Sequence, residues 1–144
     1  MLITREHLLG TWKMLSWTIE DLITEERRDA LGPEPRGWLT YSPEGRVTVL
    51  VVARERVRPT DLVPTQDQKV ALYDSMFAYA GSFEFDGTRV IHHIDTSWNE
   101  SWRGTSQVRY CEMRGEELKY VSAPARSPMT GRDCVHTVVF KRLA

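Results

Sequence analysis

Residues 80–97, AGSFEFDGTRVIHHIDTS, contain two runs rich in β-branched and aromatic residues on either side of Asp86-Gly87. Asp-Gly is a preferred pair for the tight turns that join antiparallel strands, so this stretch predicts a β-hairpin. Similar short runs follow around Arg114-Gly115 and Thr130-Gly131, and Ser42-Pro43-Glu44-Gly45 separates two runs earlier in the chain. This spacing is typical of an antiparallel meander.

The periodicity predicts eight strands over the whole chain. A closed eight-stranded barrel has no free sheet edges, and its interior is filled by side chains or holds one small ligand. We therefore predict a mainly β fold, a closed eight-stranded antiparallel up-and-down β-barrel that forms a single domain over residues 1–144. The predicted strands span residues 10–21, 36–42, 45–53, 80–86, 88–97, 105–113, 117–123 and 132–142.

One segment has helical periodicity instead. Thr65-Gln66-Asp67-Gln68 matches a capping box, and apolar residues from Val70 to Tyr79 then recur at helical spacing. These features predict a helix of about 12–14 residues within 66–79, ending by Gly81. Because its apolar face is broad, we expect the helix to cover the open end of the barrel as a lid.

Composition excludes several classes of protein. The net charge is -1, from 19 basic and 20 acidic residues, and this balance provides no basic surface for nucleic acid. No apolar run approaches the roughly 20 residues that span a bilayer, and the N-terminal residues lack the pattern of a signal peptide. We expect a cytoplasmic protein without nucleic-acid or membrane partners. In that compartment Cys111 and Cys134 would be free thiols, with a disulfide as the alternative if the fold brings them together.

Several stretches resemble the lipocalin-like domain family of bacteria and fungi, and the resemblance covers nearly the whole chain. The matching stretches are GTWKMLS at 10–16, LGP at 31–33, GWLTYSPEG at 37–45, AYAGSF at 78–83, IHHI at 91–94 and WRGT at 102–105. The resemblance implies an eight-stranded barrel with an internal pocket, in which Trp12 closes the floor. It implies no single activity, because related barrels include carriers, isomerases, cyclases and decarboxylases. The signal peptide and disulfides of secreted lipocalins are missing, so extracellular transport is not implied.

Alternation along each strand decides which side chains face the barrel interior, and a charged residue placed outside sets the parity. Lys141, Glu112, Lys119 and Glu84 are placed outside on this basis. The residues then predicted to face inward are Cys134, His136, Val138 and Phe140; Gln107, Arg109, Cys111 and Met113; Leu118, Tyr120 and Ser122; and Gly81, Phe83 and Phe85. In the strand 88–97 we favour His92 inside, because its face is more apolar, and keep His93 as the alternative.

The predicted interior is an apolar, aromatic cavity with a few polar groups, which is the composition of a small-molecule site. Arg109 keeps its charge and needs an anionic partner, so the predicted ligand is small, largely apolar and anionic. The inward histidines and a tyrosine would supply proton carriers for enolisation, decarboxylation or ring closure. The candidate catalytic residues are His92, His136 and Tyr120. The candidate ligand-binding residues are Arg109, Tyr41, Phe83, Tyr79, Trp98, Trp102 and His93.

Three functions stay open at this point: a protein that binds a small molecule, a cofactor-independent isomerase, cyclase or lyase, and a non-catalytic interaction domain. We expect no cofactor, because the chain lacks a Gly-rich phosphate loop, a nucleophile elbow and paired zinc cysteines. We expect no metal either, since His92 and His93 are neighbours that point to opposite faces. Apolar residues on the outer faces, among them Leu15, Trp17 and Ile19, predict a homodimer.

Overall fold

The computed structural model of the chain describes residues 2–143. The strands within that range are β1 (Gly10–Asp21), β2 (Arg27–Asp29), β3 (Arg36–Tyr41), β4 (Arg46–Val52), β5 (Met76–Phe85), β6 (Arg89–Ser97), β7 (Ser106–Arg114), β8 (Glu117–Ser122), β9 (Ala125–Arg126) and β10 (Asp133–Arg142). The helices are α1 (Arg5–Leu8), α2 (Gln66–Asp74) and a 3-10 turn (Glu100–Trp102).

Eight of these strands form a closed antiparallel barrel. Each long strand pairs with the next long strand along the chain, from β1 through β3 to β8 and then β10. Strand β10 returns to pair with β1, with Trp12 opposite Arg142 and Asp21 opposite Cys134, and this pairing closes the sheet. The short strands β2 and β9 add to β1 and β10. The predicted fold class is confirmed, and the eight predicted strands match the barrel strands except that β5 begins earlier.

The predicted helix is shorter than expected. Its capping box forms, since Gln68 N donates to Thr65 Oγ1 and Thr65 N donates to Gln68 Oε1, but α2 ends at Asp74 after nine residues. Residues 76–79 instead pair with β4, so Phe77 and Tyr79 belong to β5 and are buried in the barrel. Sheet pairing outweighs the local helical pattern here. None of the residues of α2 is buried, and the ring centroid of Tyr73 lies 6.1 Å from that of Trp98. The lid stays a prediction.

Strand β1 contains a β-bulge that changes which side chains face inward. Met14 lies opposite Phe140 and Ser16 lies opposite the adjacent Val139, so Leu15 is the extra residue. An extra residue reverses the alternation that follows it. Trp17 and Ile19 are therefore buried inside, and the prediction that they share the outer face with Leu15 is wrong.

One end of the barrel is closed by the N-terminal turn. Trp12 is fully buried, and its Nε1–H donates to the Leu8 carbonyl of α1 at 2.9 Å. The Arg142 guanidinium lies 4.2 Å from the Trp12 ring and donates to the carbonyls of His7 and Leu9. These contacts fix the floor, so open interior space lies further along β1, beside Trp17.

The outer surface of β1, β3 and β4 carries exposed apolar side chains. Trp38 is adjacent to Leu50 in the register of β3 and β4, and both are among the exposed large hydrophobic residues, together with Leu15. This surface is where the predicted homodimer contact would form, and the homodimer stays a prediction. In the part of the chain that the structure describes, no helix is long and apolar enough to cross a membrane.

Candidate functional site

The barrel encloses a narrow, mostly apolar cavity. The space open to the centres of water molecules is about 40 Å³, which corresponds to room for roughly three waters. The apolar and aromatic lining residues are Met14, Trp17, Leu39, Val49, Phe77, Trp102, Val138 and Phe140. The polar lining residues are Tyr79, His92, Arg109, Tyr120 and His136. Polar groups from five strands therefore meet in one small volume.

His92 lies at the centre of a continuous hydrogen-bonded cluster. It is 2% exposed, and its Nδ1 lies 2.5 Å from the hydroxyl of Tyr79. Its Nε2 lies 2.6 Å from the hydroxyl of Tyr41, which in turn lies 2.6 Å from the hydroxyl of Tyr120. Strand alternation on β3, β5, β6 and β8 directs these four side chains inward, and none of them is adjacent to another in sequence.

Burial keeps all four groups of this cluster in their neutral forms near neutral pH. Desolvation, aided by the positive charge of Arg109, holds the pKa of His92 well below its ordinary value. Desolvation raises the pKa of Tyr79 to about 12 and raises the pKa values of Tyr41 and Tyr120 well above 10. The cluster therefore carries exchangeable protons without carrying net charge.

His136 presents a hydrogen-bond donor at the cavity wall. Its Nδ1 lies 2.8 Å from Nε1 of Trp17, and an indole nitrogen can only donate. Nδ1 is therefore the acceptor, and the proton of the neutral ring resides on Nε2. Burial, with smaller contributions from Arg109 and Arg28, lowers the pKa of His136 to about 3. Because the lone pair of His136 is already used by Trp17, this side chain is better suited to donate to a ligand than to accept a proton from one.

Arg109 brings a positive charge to the same cavity. It is 9% exposed, and its Nη1 donates to the Val108 carbonyl at 3.1 Å. Within residues 2–143, no carboxylate lies within 4 Å of its guanidinium nitrogens. A charge in this position is costly unless an anion or water balances it.

The other sequence-predicted residues lie at varied distances from the cavity. The ring centroids of Tyr41 and Phe83 are 4.6 Å apart, and neither residue lines the cavity. Trp102 lines the cavity, and Trp98 lies beyond it, 4.5 Å from the Phe77 ring. His93 faces outward, where its ring nitrogens contact Glu84 at 2.6 Å and Ser106 at 2.8 Å. The alternative that put His93 in the cavity is therefore wrong, because successive residues on β6 alternate faces.

Several lining residues are absent from the set predicted from sequence. Trp17 is predicted outside because nothing in the sequence shows the bulge at Leu15. Phe77 falls within the predicted helix. Leu39 and Val49 face inward on β3 and β4 and follow ordinary alternation, so the periodicity of these strands could have identified them.

Neither cysteine lines the cavity. Cys111 and Cys134 are free thiols, so the disulfide alternative does not apply. Burial raises the pKa of the Cys111 thiol to about 12. Across the described residues, no three His, Cys, Asp or Glu side chains are grouped to hold a metal ion.

A closed eight-stranded antiparallel barrel with a floor tryptophan and an internal cavity defines a lipocalin-type protein. The chain belongs to the lipocalin-like domain family, which matches residues 9–143. No curated protein sequence gives a significant match. Membership of this family is consistent with small-molecule binding, and it specifies no ligand.

Proposed function

We propose that the protein binds a small organic anion inside the barrel, with the anionic group against Arg109. The observation that carries this proposal is the guanidinium of Arg109, which lies at the cavity wall without a carboxylate partner in the described chain. Guanidinium groups pair with carboxylates through two parallel hydrogen bonds, and that pairing would balance the charge.

His136 supports the same assignment. Trp17 holds the ring through Nδ1, which leaves the Nε2–H as a donor for a ligand. Arg109 and His136 both line the cavity, so one ligand can accept from both donors. A neutral donor beside a permanent cation favours an anion over a cation of equal size.

The rest of the lining restricts the size and polarity of the ligand. Met14, Leu39 and Val138 supply hydrocarbon surface, which favours an apolar portion next to the anionic group. Room for about three waters suits a molecule of the size of a short-chain carboxylate. A larger ligand would require Trp102 and its neighbours to move.

Titration of the purified protein with acetate, pyruvate and butanoate, followed by heteronuclear NMR, tests this proposal. We expect saturable shifts for residues at the cavity wall, and we expect Arg109→Met to abolish them. Arg114→Met is the matched control, because Arg114 is on the same strand with an 89% exposed side chain. Equal binding by Arg109→Met, or equal binding of neutral amides of the same acids, would refute the proposal.

A further inference from the structure

Two phenols at the cavity wall are connected by an unbroken hydrogen-bonded chain. The chain runs from Tyr79 to His92 at 2.5 Å, from His92 to Tyr41 at 2.6 Å and from Tyr41 to Tyr120 at 2.6 Å. Tyr79, His92 and Tyr120 line the cavity, whereas Tyr41 lies behind it. The residues at the two ends of the chain therefore line one cavity, and Tyr41 between them does not.

Proton counting shows that the hydrogen-bonded chain has two possible directions. The four neutral groups carry one transferable proton each, while the chain contains three hydrogen bonds. In one direction, Tyr79 donates to Nδ1 of His92 and the proton left over is on Tyr120. In the reverse direction, Tyr120 donates to Tyr41 and the proton left over is on Tyr79. Whichever direction holds, one end offers an O–H donor to the cavity and the other offers an acceptor.

We propose that this chain is a proton relay with which the barrel interconverts the keto and enol forms of a small 2-oxo acid. The inference rests on the proposed function, because Arg109 has to hold the carboxylate for the relay to act. A 2-oxo acid fits the three features of the cavity. Its carboxylate suits Arg109, its carbonyl oxygen and neighbouring C–H suit the two phenols, and its short chain suits the small volume.

The relay step balances in protons and electrons. In the keto-to-enol direction the C3–H bond breaks, its proton goes to the Tyr79 oxygen, and its electron pair forms the C2–C3 double bond. The carbonyl oxygen takes the proton of Tyr120. Tyr120 recovers a proton from Tyr41, Tyr41 recovers one from Nε2 of His92, and Nδ1 of His92 receives the proton that Tyr79 gives up. All four groups end neutral, with the chain reversed, and the reversed chain is the starting state for the return reaction.

The surroundings of the chain favour this concerted transfer over stepwise chemistry. Burial disfavours both a histidinium at His92 and a phenolate at any of the tyrosines, so a stepwise transfer would create a costly buried charge. Arg109 lies close enough to lower the pKa of His92 by its charge. The same charge stabilises negative charge that develops on the oxygen of the substrate.

Deuterium exchange at C3 of pyruvate in D₂O, followed by ¹H NMR, tests the relay. The phenol protons exchange with solvent between passes, so each round trip through the enol can place deuterium on C3. We expect the protein to accelerate this exchange, and we expect Tyr41→Phe to reduce the protein-dependent rate at least about 100-fold with the Kd for pyruvate unchanged. Tyr110→Phe is the matched control, because Tyr110 is an exposed tyrosine on the outer face of β7, and it should exchange at the wild-type rate.

The possible outcomes separate this inference from the proposed function. Absence of binding by acetate, pyruvate and butanoate alike contradicts the proposed function, and binding of acetate or butanoate without pyruvate overturns the relay. Binding without accelerated exchange, or full exchange by Tyr41→Phe, overturns the relay alone. If Tyr41→Phe loses binding and exchange together, or fails to fold, ¹⁵N NMR of His92 in the wild-type protein decides. The relay requires a neutral ring that carries its proton on Nε2 in the pyruvate complex, whereas an imidazolium or a ring protonated on Nδ1 alone overturns it.

Discussion

Replacing Arg109 with methionine should stabilise the empty protein. Methionine keeps an unbranched side chain that can fill the site and removes a charge that is 9% exposed without a carboxylate partner in the described chain. Replacing a buried ion pair by apolar groups of similar volume is often neutral or stabilising by about 1–4 kcal/mol, and removal of an unpartnered buried charge should act in the same direction. We expect the low end, about 1–2 kcal/mol, because the adjacent cavity can hold about three waters that solvate the guanidinium. For a chain of 144 residues, this gain corresponds to a Tm increase of about 3–7 °C.

Guanidinium chloride unfolding of the ligand-free protein, with calorimetry for Tm, measures this effect. Arg114→Met should change the free energy of unfolding by less than about 0.5 kcal/mol, since Arg114 is a surface residue. A ligand at 100 times its Kd should raise the stability of the wild type by about 2.7 kcal/mol and leave Arg109→Met unchanged. Destabilisation of Arg109→Met by about 1 kcal/mol or more would contradict this reasoning, because it would show that the guanidinium is well satisfied in the empty barrel.

Three further predictions concern pH, packing and thiol chemistry. The fold lowers the pKa of His136 to about 3, so the contribution of His136 to folding stability is fully present above about pH 6.5 and is lost as the pH falls towards 3. His136→Gln should therefore reduce the slope of unfolding free energy against pH by about 1.4 kcal/mol per pH unit between about pH 4 and 6. An unchanged slope would contradict this. Gly81→Ala should cost at least about 2 kcal/mol in denaturant unfolding, because the added Cβ would lie 1.9 Å from the His93 carbonyl oxygen; a neutral substitution would show that β5 can shift. Cys111 is a partly buried free thiol and Cys134 is a buried one. A colorimetric thiol reagent at about pH 8, near the ordinary thiol pKa, should therefore react fully with them only after unfolding. Rapid reaction of the native protein would contradict their placement.

Much of the barrel could be predicted from local pattern because its strands alternate regularly. Single charged residues set the parity on four strands, and Arg109, Tyr120 and His136 are buried as predicted. Alternation gives the wrong face after Leu15, where a bulge reverses it on β1. Helical periodicity is misleading at residues 76–79, where pairing with β4 replaces the predicted helix. Both errors have one cause, since register and strand pairing depend on a partner distant in sequence.

The hydrogen bonds within the site were less predictable from sequence than the identity of the residues that form it. Trp17 bonds His136 across 119 positions of sequence, and Tyr41 bonds Tyr120 across 79. No local pattern contains those contacts. The role of His136 as a donor follows only from its contact with Trp17, whose inward position depends on the bulge in β1.

The sequence by itself determined the barrel, its strand number and the polar residue types in its interior, because alternation and turn residues act over a few neighbouring positions. The tertiary structure decided which of those residues meet and in what state. Closure of β10 onto β1 brings His136 to Trp17, and burial keeps His92 neutral between the two tyrosines that it contacts. Contact and desolvation are properties of the packed interior, so they exist only once the barrel has closed.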